Sequence, residues 1–224
     1  MNWTLADYES VEYGALGAVF TFANRFDAPS ISTNFYILFG HVEVVMQAAP
    51  GVGIISSSVL MSDDQDEIDW EFSGNDFSRG SGVVQTNYFG KGIVGDYDRG
   101  TYPSVSSPQT QFHSYGLDWS AEELTWSIDG VVVRTLACNN ATSGAYQYPQ
   151  SPMTIQLGLW DGGDPSNQPG TIVWAGGETD MSQAPFTMYV KSVAITNANP
   201  CSGGYQYTDT TGSYESIACV SMGS

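Results

Sequence analysis

The sequence predicts one all-β domain, either a sandwich or a barrel, and three observations support this prediction. Short apolar runs that alternate with period two recur along the whole chain. Turn residues separate these runs every 8–12 residues or so, and no window of about 12 residues has the apolar spacing of an amphipathic helix. The composition agrees, because 13 Tyr, 10 Phe and 25 Gly in 224 residues are typical of strands and turns.

The alternation places predicted strands in chain order as follows: 18–24, 35–48, 53–62, 67–73, 82–90, 112–120, 124–137, 153–160 and 186–198. The clearest hairpin is predicted at Asp129-Gly130, because glycine accepts the positive φ of a tight turn. Ser120–Glu123 could form a single helical turn. The sequence contains no internal repeat and no linker, so residues 1–224 are expected to form a single domain.

The charge balance excludes several classes of function. Six basic residues face 24 acidic ones, a formal net charge of −18, which disfavours nucleic acid and anionic membrane surfaces as partners. Only 13% of residues are charged and 42% are hydrophobic, so the chain is folded rather than an acidic disordered segment. No apolar run approaches the roughly 18 residues of a membrane helix, so we expect no membrane insertion by this chain.

The three cysteines predict one disulfide and no metal site. Cys201 and Cys219 bracket a Gly- and Tyr-rich tail, which we interpret as a disulfide-closed loop over 201–219, although free thiols are the alternative. Cys138 is either buried or paired with a cysteine outside this sequence. Two histidines and three scattered cysteines match no zinc spacing, and we expect no metal and no cofactor.

Two sequons, Asn2-Trp3-Thr4 and Asn140-Ala141-Thr142, favour a secreted glycoprotein. No basic segment typical of a signal peptide precedes them. The chain ends at Ser224 without a hydrophobic tail, so a lipid anchor could only belong to a longer precursor. We expect a monomer.

Six of the nine residues from Asp63 to Glu71 are acidic. Strand geometry would place Glu67, Asp69 and Glu71 on one face and large apolar residues on the other. Like charges in a row are unfavourable unless they serve a function. The alternative is a solvated edge strand, which the large apolar residues between the carboxylates disfavour.

Paired carboxylates are the groups that hydrolyse glycosidic bonds, one as nucleophile or base and one as proton donor. On a flat strand, positions i and i+4 are about 13 Å apart at Cα. A retaining enzyme needs carboxyl groups about 5–5.5 Å apart, and an inverting enzyme needs them about 6.5–9.5 Å apart. The strand is therefore expected to curve so that Glu67 and Glu71 lean inward over Asp69.

The motif Glu-Ile-Asp-Trp-Glu resembles the E-x-D-x-E signature of glycoside hydrolase family 16, in which the fold is a concanavalin-like β-jelly-roll sandwich with a concave substrate groove. The surrounding sequence is similar to the fungal Crh-type cell-wall transglycosylases. The segments that carry this likeness are 39–43, 66–71, 84–92, 97–100, 112–115, 126–130, 160–169 and 185–193. The resemblance implies that Glu67 is the nucleophile, Asp69 an assisting carboxylate and Glu71 the general acid and base.

The groove candidates follow from the same resemblance and from strand spacing. They are Gln85, Asn87, Lys91, Arg99, Trp160, Asn167 and Trp174. Gln85 and Asn87 share a strand face and could bind sugar hydroxyls or merely satisfy backbone groups. Arg99 resembles the family's acceptor-side arginine, with a surface ion pair to Asp96 or Asp98 as the alternative. Trp160 resembles a sugar-stacking tryptophan, and core packing is the alternative.

The resemblance implies a retaining endo-glycosidase that transfers chitin to β-glucan or chitin acceptors in the fungal cell wall. Chitin and β-glucan chains are thus the expected partners, and a secreted or wall location is expected. A hydrolase of β-1,3(1,4)-glucan or chitin with the same residues is the close alternative. A lectin-like binding module and a structural wall protein are the distant alternatives, because neither needs clustered carboxylates.

Overall fold

A computed structural model of the chain describes residues 2–6, 10–74, 82–95, 97–141 and 147–220. Two large sheets dominate it, one of six strands and one of seven, and every strand pairing in them is antiparallel. The all-β prediction is confirmed. Most strands pair with neighbours that are distant in sequence, as expected for a jelly-roll sandwich.

The six-stranded sheet carries the acidic strand near one edge. Its strands, in spatial order, are β1 (Trp3–Leu5), β4 (Ser30–Thr33), β12 (Met153–Asp161), β6 (Gly51–Ser62), β7 (Glu67–Gly74) and β8 (Gln85–Phe89). The predicted acidic segment is β7, which lies between β6 and β8.

The seven-stranded sheet packs against the inner face of the first. Its strands, in spatial order, are β11 (Val131–Ala137), β10 (Glu123–Ile128), β9 (His113–Trp119), β5 (Gly40–Gln47), β13 (Phe186–Asn197), β3 (Gly17–Phe22) and β2 (Val11–Gly14). The predicted hairpin joins β10 to β11, and both Asp129 and Gly130 have positive φ, at 50° and 76°.

A third, two-stranded sheet forms the tail from β14 (Tyr205–Tyr207) and β15 (Ile217–Cys219). The predicted disulfide between Cys201 and Cys219 closes this tail, with the Cα atoms 5.4 Å apart. Cys138 is a free, half-buried thiol at the start of the short helix α1 (Cys138–Ala141).

The remaining helical segments are short. They are α2 (Pro169–Trp174) and the 3₁₀ turns Met181–Gln183 and Tyr214–Ser216. No helix in the described part of the chain is long and apolar enough to cross a membrane.

The structure corrects two local predictions. Ser120–Glu123 is not a helical turn but the tight connection between β9 and β10, where Ser120 Oγ accepts hydrogen bonds from the backbone N–H groups of Glu122 and Glu123. A serine hydroxyl competes in this way with helical backbone bonding. The short helix α2 was not predicted, because six residues are too few to show a helical period.

Aromatic side chains from both sheets form the centre of the core. Tyr115 of β9 contacts Trp70 and Phe72 of β7 edge to face, with ring centroids 5.3 Å and 4.8 Å apart. The indole of Trp126 in β10 donates a hydrogen bond to the backbone carbonyl of Asp69, at 3.2 Å. The opposite sheet thus holds the middle of β7 by packing and by this hydrogen bond.

Asp66, immediately before β7, fixes the beginning of the acidic strand. The carboxylate is fully buried and accepts hydrogen bonds from the backbone N–H groups of Lys91, Gln150 and Ser151. The ammonium group of Lys91 and the hydroxyl of Ser151 complete the shell. A buried carboxylate is tolerated when its lone pairs are filled in this way. Asp66 therefore joins three loops at the start of β7.

We predict that Asp66→Ala lowers the free energy of unfolding by about 3–5 kcal/mol, because the mutation leaves an ammonium and several backbone donors buried without their acceptor. Asp64→Ala is the matched control, since Asp64 is partly exposed and lies 3.9 Å from the same ammonium. That variant should lose no more than about 1 kcal/mol. Urea denaturation of both variants measures the difference, and equal losses would contradict this role of Asp66.

Candidate active site

The three predicted carboxylates lie on one face of β7. Glu67 and Glu71 are half-buried and Asp69 is fully buried, whereas Ile68 and Trp70 point into the core. Because β7 has a strand on each side, it is not a solvated edge strand. The interpretation of this segment as a solvated edge strand is therefore wrong, and the face that carries the carboxylates is here called the active-site face.

Strand β8 places its predicted groove residues directly beside the carboxylates. In the β7–β8 register, Gln85 is opposite Glu71 and Asn87 is opposite Asp69. Directly opposite residues of neighbouring strands project on the same side of the sheet. The alternation that predicted these two amides on one strand face therefore brings them to the active-site face.

The environment separates the proton affinities of the two glutamates. Burial and, to a smaller extent, the negative charge of Glu67 together raise the pKa of Glu71 to about 8. Burial also raises the pKa of Glu67, but the contact with Asp69 and the positive charge of Arg99 oppose that rise. At neutral pH, Glu71 thus holds a proton and Glu67 is the more acidic glutamate. A split of this kind distinguishes an acid from a nucleophile.

Of the three carboxyl groups, Asp69 is the one that is fully buried. Burial and the charges of Glu67 and Glu71 raise its pKa well above the ordinary value, and Arg134 lowers it. Among the described residues, no N–H group and no hydroxyl group donates a hydrogen bond to Oδ1 or Oδ2 of Asp69. The remaining partner is the carboxyl group of Glu67, and two carboxyl groups form a hydrogen bond only when one of them carries a proton. Glu67 and Asp69 therefore compete for a shared proton.

Arg99 is a buried cation beside β8, only 5% exposed. Its guanidinium stacks over the ring of Phe89 at 4.4 Å and donates to the backbone carbonyl of Val94. Its charge acts on Glu67. The predicted alternative, an exposed ion pair, does not describe such a buried residue; Asp96 lies outside the described residues.

Aromatic and amide groups form a connected wall at the Glu71 end of the active-site face. Trp160 of β12 stacks on Trp174 of α2, with centroids 6.0 Å apart and rings inclined by 21°. Trp174 donates its indole N–H to Gln85 Oε1 at 3.2 Å, and Gln85 Nε2 donates to the hydroxyl of Tyr102 at 2.7 Å. Trp160 and Trp174 are half-buried and lie outside the main core, in contact with Ile55. Trp160 therefore packs against a smaller apolar cluster rather than the main core, and its role in sugar stacking stays a prediction.

Lys91 and Asn167 are engaged within loops. Lys91 binds Asp66 and Ser151 through its ammonium group, at the beginning of β7. The amide nitrogen of Asn167 donates to the backbone carbonyls of Asp161 and Gly162 at 2.9 and 3.1 Å. These two side chains shape the loops around the site, in contrast to Gln85 and Asn87, which border the carboxylates.

Two residues near the site were not singled out by their sequence pattern. Tyr102 had no spacing that distinguished it from other tyrosines. Arg134 lies in the middle of β11 in the opposite sheet, where a polar residue in a strand normally indicates a solvated face. The sequence signal that could have indicated Arg134 is the rarity of basic residues. With only six of them in the chain, an arginine in the middle of a predicted strand is unexpected.

Comparison with known proteins agrees with this geometry. Residues 1–176 match the family described as Glycosyl hydrolases family 16. Crh-like protein 1 of Aspergillus fumigatus is 58% identical over 216 residues, which are 96% of this chain and 58% of that protein. Crh-like protein 5 of the same fungus is 58% identical over 207 residues, covering 92% of this chain and 51% of that protein.

A solved structure of the Crh5 transglycosylase in complex with NAG superimposes with a TM-score of 0.92 at 54% identity. The alignment covers 98% of this chain and 88% of that one. The chain spans little more than half the length of the two A. fumigatus proteins it matches.

We predict that Glu67→Gln lowers the pKa of Glu71, because the variant removes the negative charge that helps to raise it. Carbon-13 NMR titration of labelled glutamate carboxyl groups measures this pKa directly and needs no turnover. Glu43→Gln, on β5 of the other sheet, is the control that removes one charge away from the site. An unchanged Glu71 pKa in Glu67→Gln would show that the two groups do not interact.

Proposed function

The chain belongs to glycosyl hydrolase family 16, and on that premise we propose that it is a retaining transglycosylase of the fungal cell wall. It cleaves chitin and transfers the cleaved chain to β-glucan or chitin acceptors. The observation that carries this proposal is the geometry of β7, which places Glu67, Asp69 and Glu71 on one strand face beside Gln85 and Asn87 of β8. The high similarity to a Crh5 transglycosylase supports transfer as the outcome.

In the first step, the Glu67 carboxylate attacks the anomeric carbon of the donor sugar. The bond between that carbon and the glycosidic oxygen breaks, and Glu71 gives its proton to the departing oxygen. The reducing-end fragment leaves as an alcohol, and the remaining chain is held as an ester on Glu67. The raised pKa of Glu71 keeps the required proton in place at neutral pH.

In the second step, Glu71 is a carboxylate and accepts the proton of the incoming sugar hydroxyl. The acceptor oxygen attacks the anomeric carbon and breaks the ester bond, so that Glu67 returns as a carboxylate. Two inversions at one carbon give net retention. Asp69 shares a proton with Glu67 and, by giving or withdrawing it, adjusts the charge on the nucleophile through the cycle.

Sugar binding is assigned to the groups around the carboxylates. Aromatic faces at Trp160 and Trp174 suit the apolar faces of pyranose rings, and the Asn87 amide on β8 suits a hydroxyl close to the reacting bond. Gln85 orients Trp174 and Tyr102 through its two hydrogen bonds. We assign Arg99 to the acceptor side, and Lys91 and Asn167 to the loops that border the groove.

The proposal includes the setting of the reaction. The similar Crh5 transglycosylase was solved in complex with NAG. Because NAG is the repeating unit of chitin, this supports chitin as the donor for the present chain. We propose that residues 1–224 act as one secreted, monomeric catalytic domain at the wall. A plain hydrolase would use the same carboxylates, with water in place of the acceptor sugar, so only the products separate the two activities.

Product analysis tests this function. We predict that a fluorescent chito-oligosaccharide incubated with laminari-oligosaccharides yields hybrid products longer than the donor, separable by chromatography and identifiable by mass spectrometry. Only shortened sugars, with and without acceptor, would identify a hydrolase. No change in the donor would contradict glycosidase activity of this chain.

We predict that Glu67→Gln abolishes turnover and that Glu71→Gln lowers it by about 10²–10⁴-fold, because the first removes the nucleophile and the second the proton donor. Both side chains keep their size, so thermal unfolding should show intact folding. Glu43→Gln should retain full activity, because Glu43 lies on the other sheet. Full activity of Glu67→Gln would eliminate it as the nucleophile.

A further inference from the structure

The guanidinium of Arg134 lies between the two sheets, directly behind the acidic strand. Arg134 belongs to β11 in the seven-stranded sheet and is the cross-strand partner of Trp126. It stacks over the Trp126 ring at 4.5 Å and lies 5.4 Å from the ring of Tyr88 in β8. Trp126 also contacts the other sheet, because its indole donates a hydrogen bond to the backbone carbonyl of Asp69. Both residues of this cross-strand pair therefore extend to the six-stranded sheet.

Arg134 bonds to the two segments that carry groups of the proposed site. Its Nη1 donates to the backbone carbonyl and the hydroxyl of Thr86, at 2.7 and 3.0 Å. Its Nη2 donates to the backbone carbonyl of Arg99 at 2.8 Å. Thr86 lies between Gln85 and Asn87, so one planar guanidinium fixes the outer strand of the active-site sheet and the Arg99 loop together.

None of these acceptors is a carboxylate. Among the described residues, Arg134 takes part in no ion pair, and the anion that acts on its charge from the active-site sheet is Asp69. Burying a cation without an ion-pair partner is costly, and burial lowers the pKa of Arg134 to about 10. The cost is offset if the charge balances the negative charge that the Glu67–Asp69 pair retains on the other side of β7.

We propose that Arg134 is a positioning residue for the transglycosylase reaction, which both fixes β8 and the Arg99 loop and supplies the internal positive charge that balances Asp69. This inference rests on the proposed function. Arg134 does not touch the sugar and acts through the groups that do. The charged groups that act on the Glu67–Asp69 pair are Glu71 from β7, Arg99 from the loop after β8 and Arg134 from β11. Tyr88 of β8 lies on the core face and interacts with Arg134 and Arg99.

The sign of the effect on pH dependence follows from the charge. A nearby cation favours the ionised form of a carboxyl group, so removing Arg134 raises the pKa values of the Glu67–Asp69 pair. The reaction needs an ionised Glu67, and the rate of the free enzyme therefore rises with pH through that ionisation. Without Arg134, this ascending limb moves to higher pH.

The experiment compares the pH profile of kcat/KM for chito-oligosaccharide cleavage in wild type, Arg134→Gln, Arg134→Lys and Lys191→Gln. We expect Arg134→Gln to shift the ascending limb upward by about half a pH unit or more. Arg134→Lys keeps the charge and should leave the limb in place, but it should lower kcat/KM about tenfold or more, because an ammonium cannot bond both Thr86 and Arg99 as the planar fork does. Lys191→Gln removes an exposed charge from β13 and should match wild type.

Three outcomes separate the possibilities. If Arg134→Gln folds and loses rate at every pH with an unmoved limb, its role is only structural and the electrostatic proposal is overturned. If Arg134→Gln does not fold, Arg134→Lys decides, because wild-type kcat/KM in that variant overturns the positioning role. If wild type itself cleaves no chito-oligosaccharide, the proposed function fails before Arg134 is tested.

Discussion

The structure depends on removing three neighbouring carboxylates from water on one strand. An isolated buried carboxylate is costly, and like charges on one face add repulsion. Two arginines offset this charge, the buried Arg99 beside β8 and the half-buried Arg134 between the sheets, and Glu67 and Asp69 share a proton. Burial of Glu71, together with the negative charge of Glu67, keeps a proton on Glu71. We propose that the same clustering of carboxyl groups, which is costly for folding, lets β7 supply both the acid and the nucleophile.

Most of the architecture could be predicted from local pattern. Strict alternation from Glu67 to Phe72 fixed which side chains share a face, because the period of a strand is two. The same argument paired Gln85 with Asn87, and the β7–β8 register brought them beside Glu71 and Asp69. Short strands such as β1 and β14 carry three residues each, too few for a period to be recognised.

The electrostatic partners of the site could not be predicted in the same way. Arg134 is distant from Asp69 in sequence and belongs to the opposite sheet, so only the packing of the two sheets makes them neighbours. Lys91 looked like a groove residue within a family motif, yet its ammonium binds Asp66. Alternation reports which face a side chain is on. It does not report which partner it meets across the sandwich.

In the proposed mechanism, Glu67 forms the covalent intermediate, while Glu71 donates a proton in the first step and accepts one in the second. Trapping tests this most directly, using the Glu71→Gln variant with a chito-oligosaccharyl fluoride, whose leaving group needs no proton. The first step should then proceed while the second, deprived of its base, stalls. Intact-mass and peptide mass spectrometry should find one glycosyl chain esterified to Glu67. Fluoride release without any adduct, or an adduct on Asp69, would contradict the account.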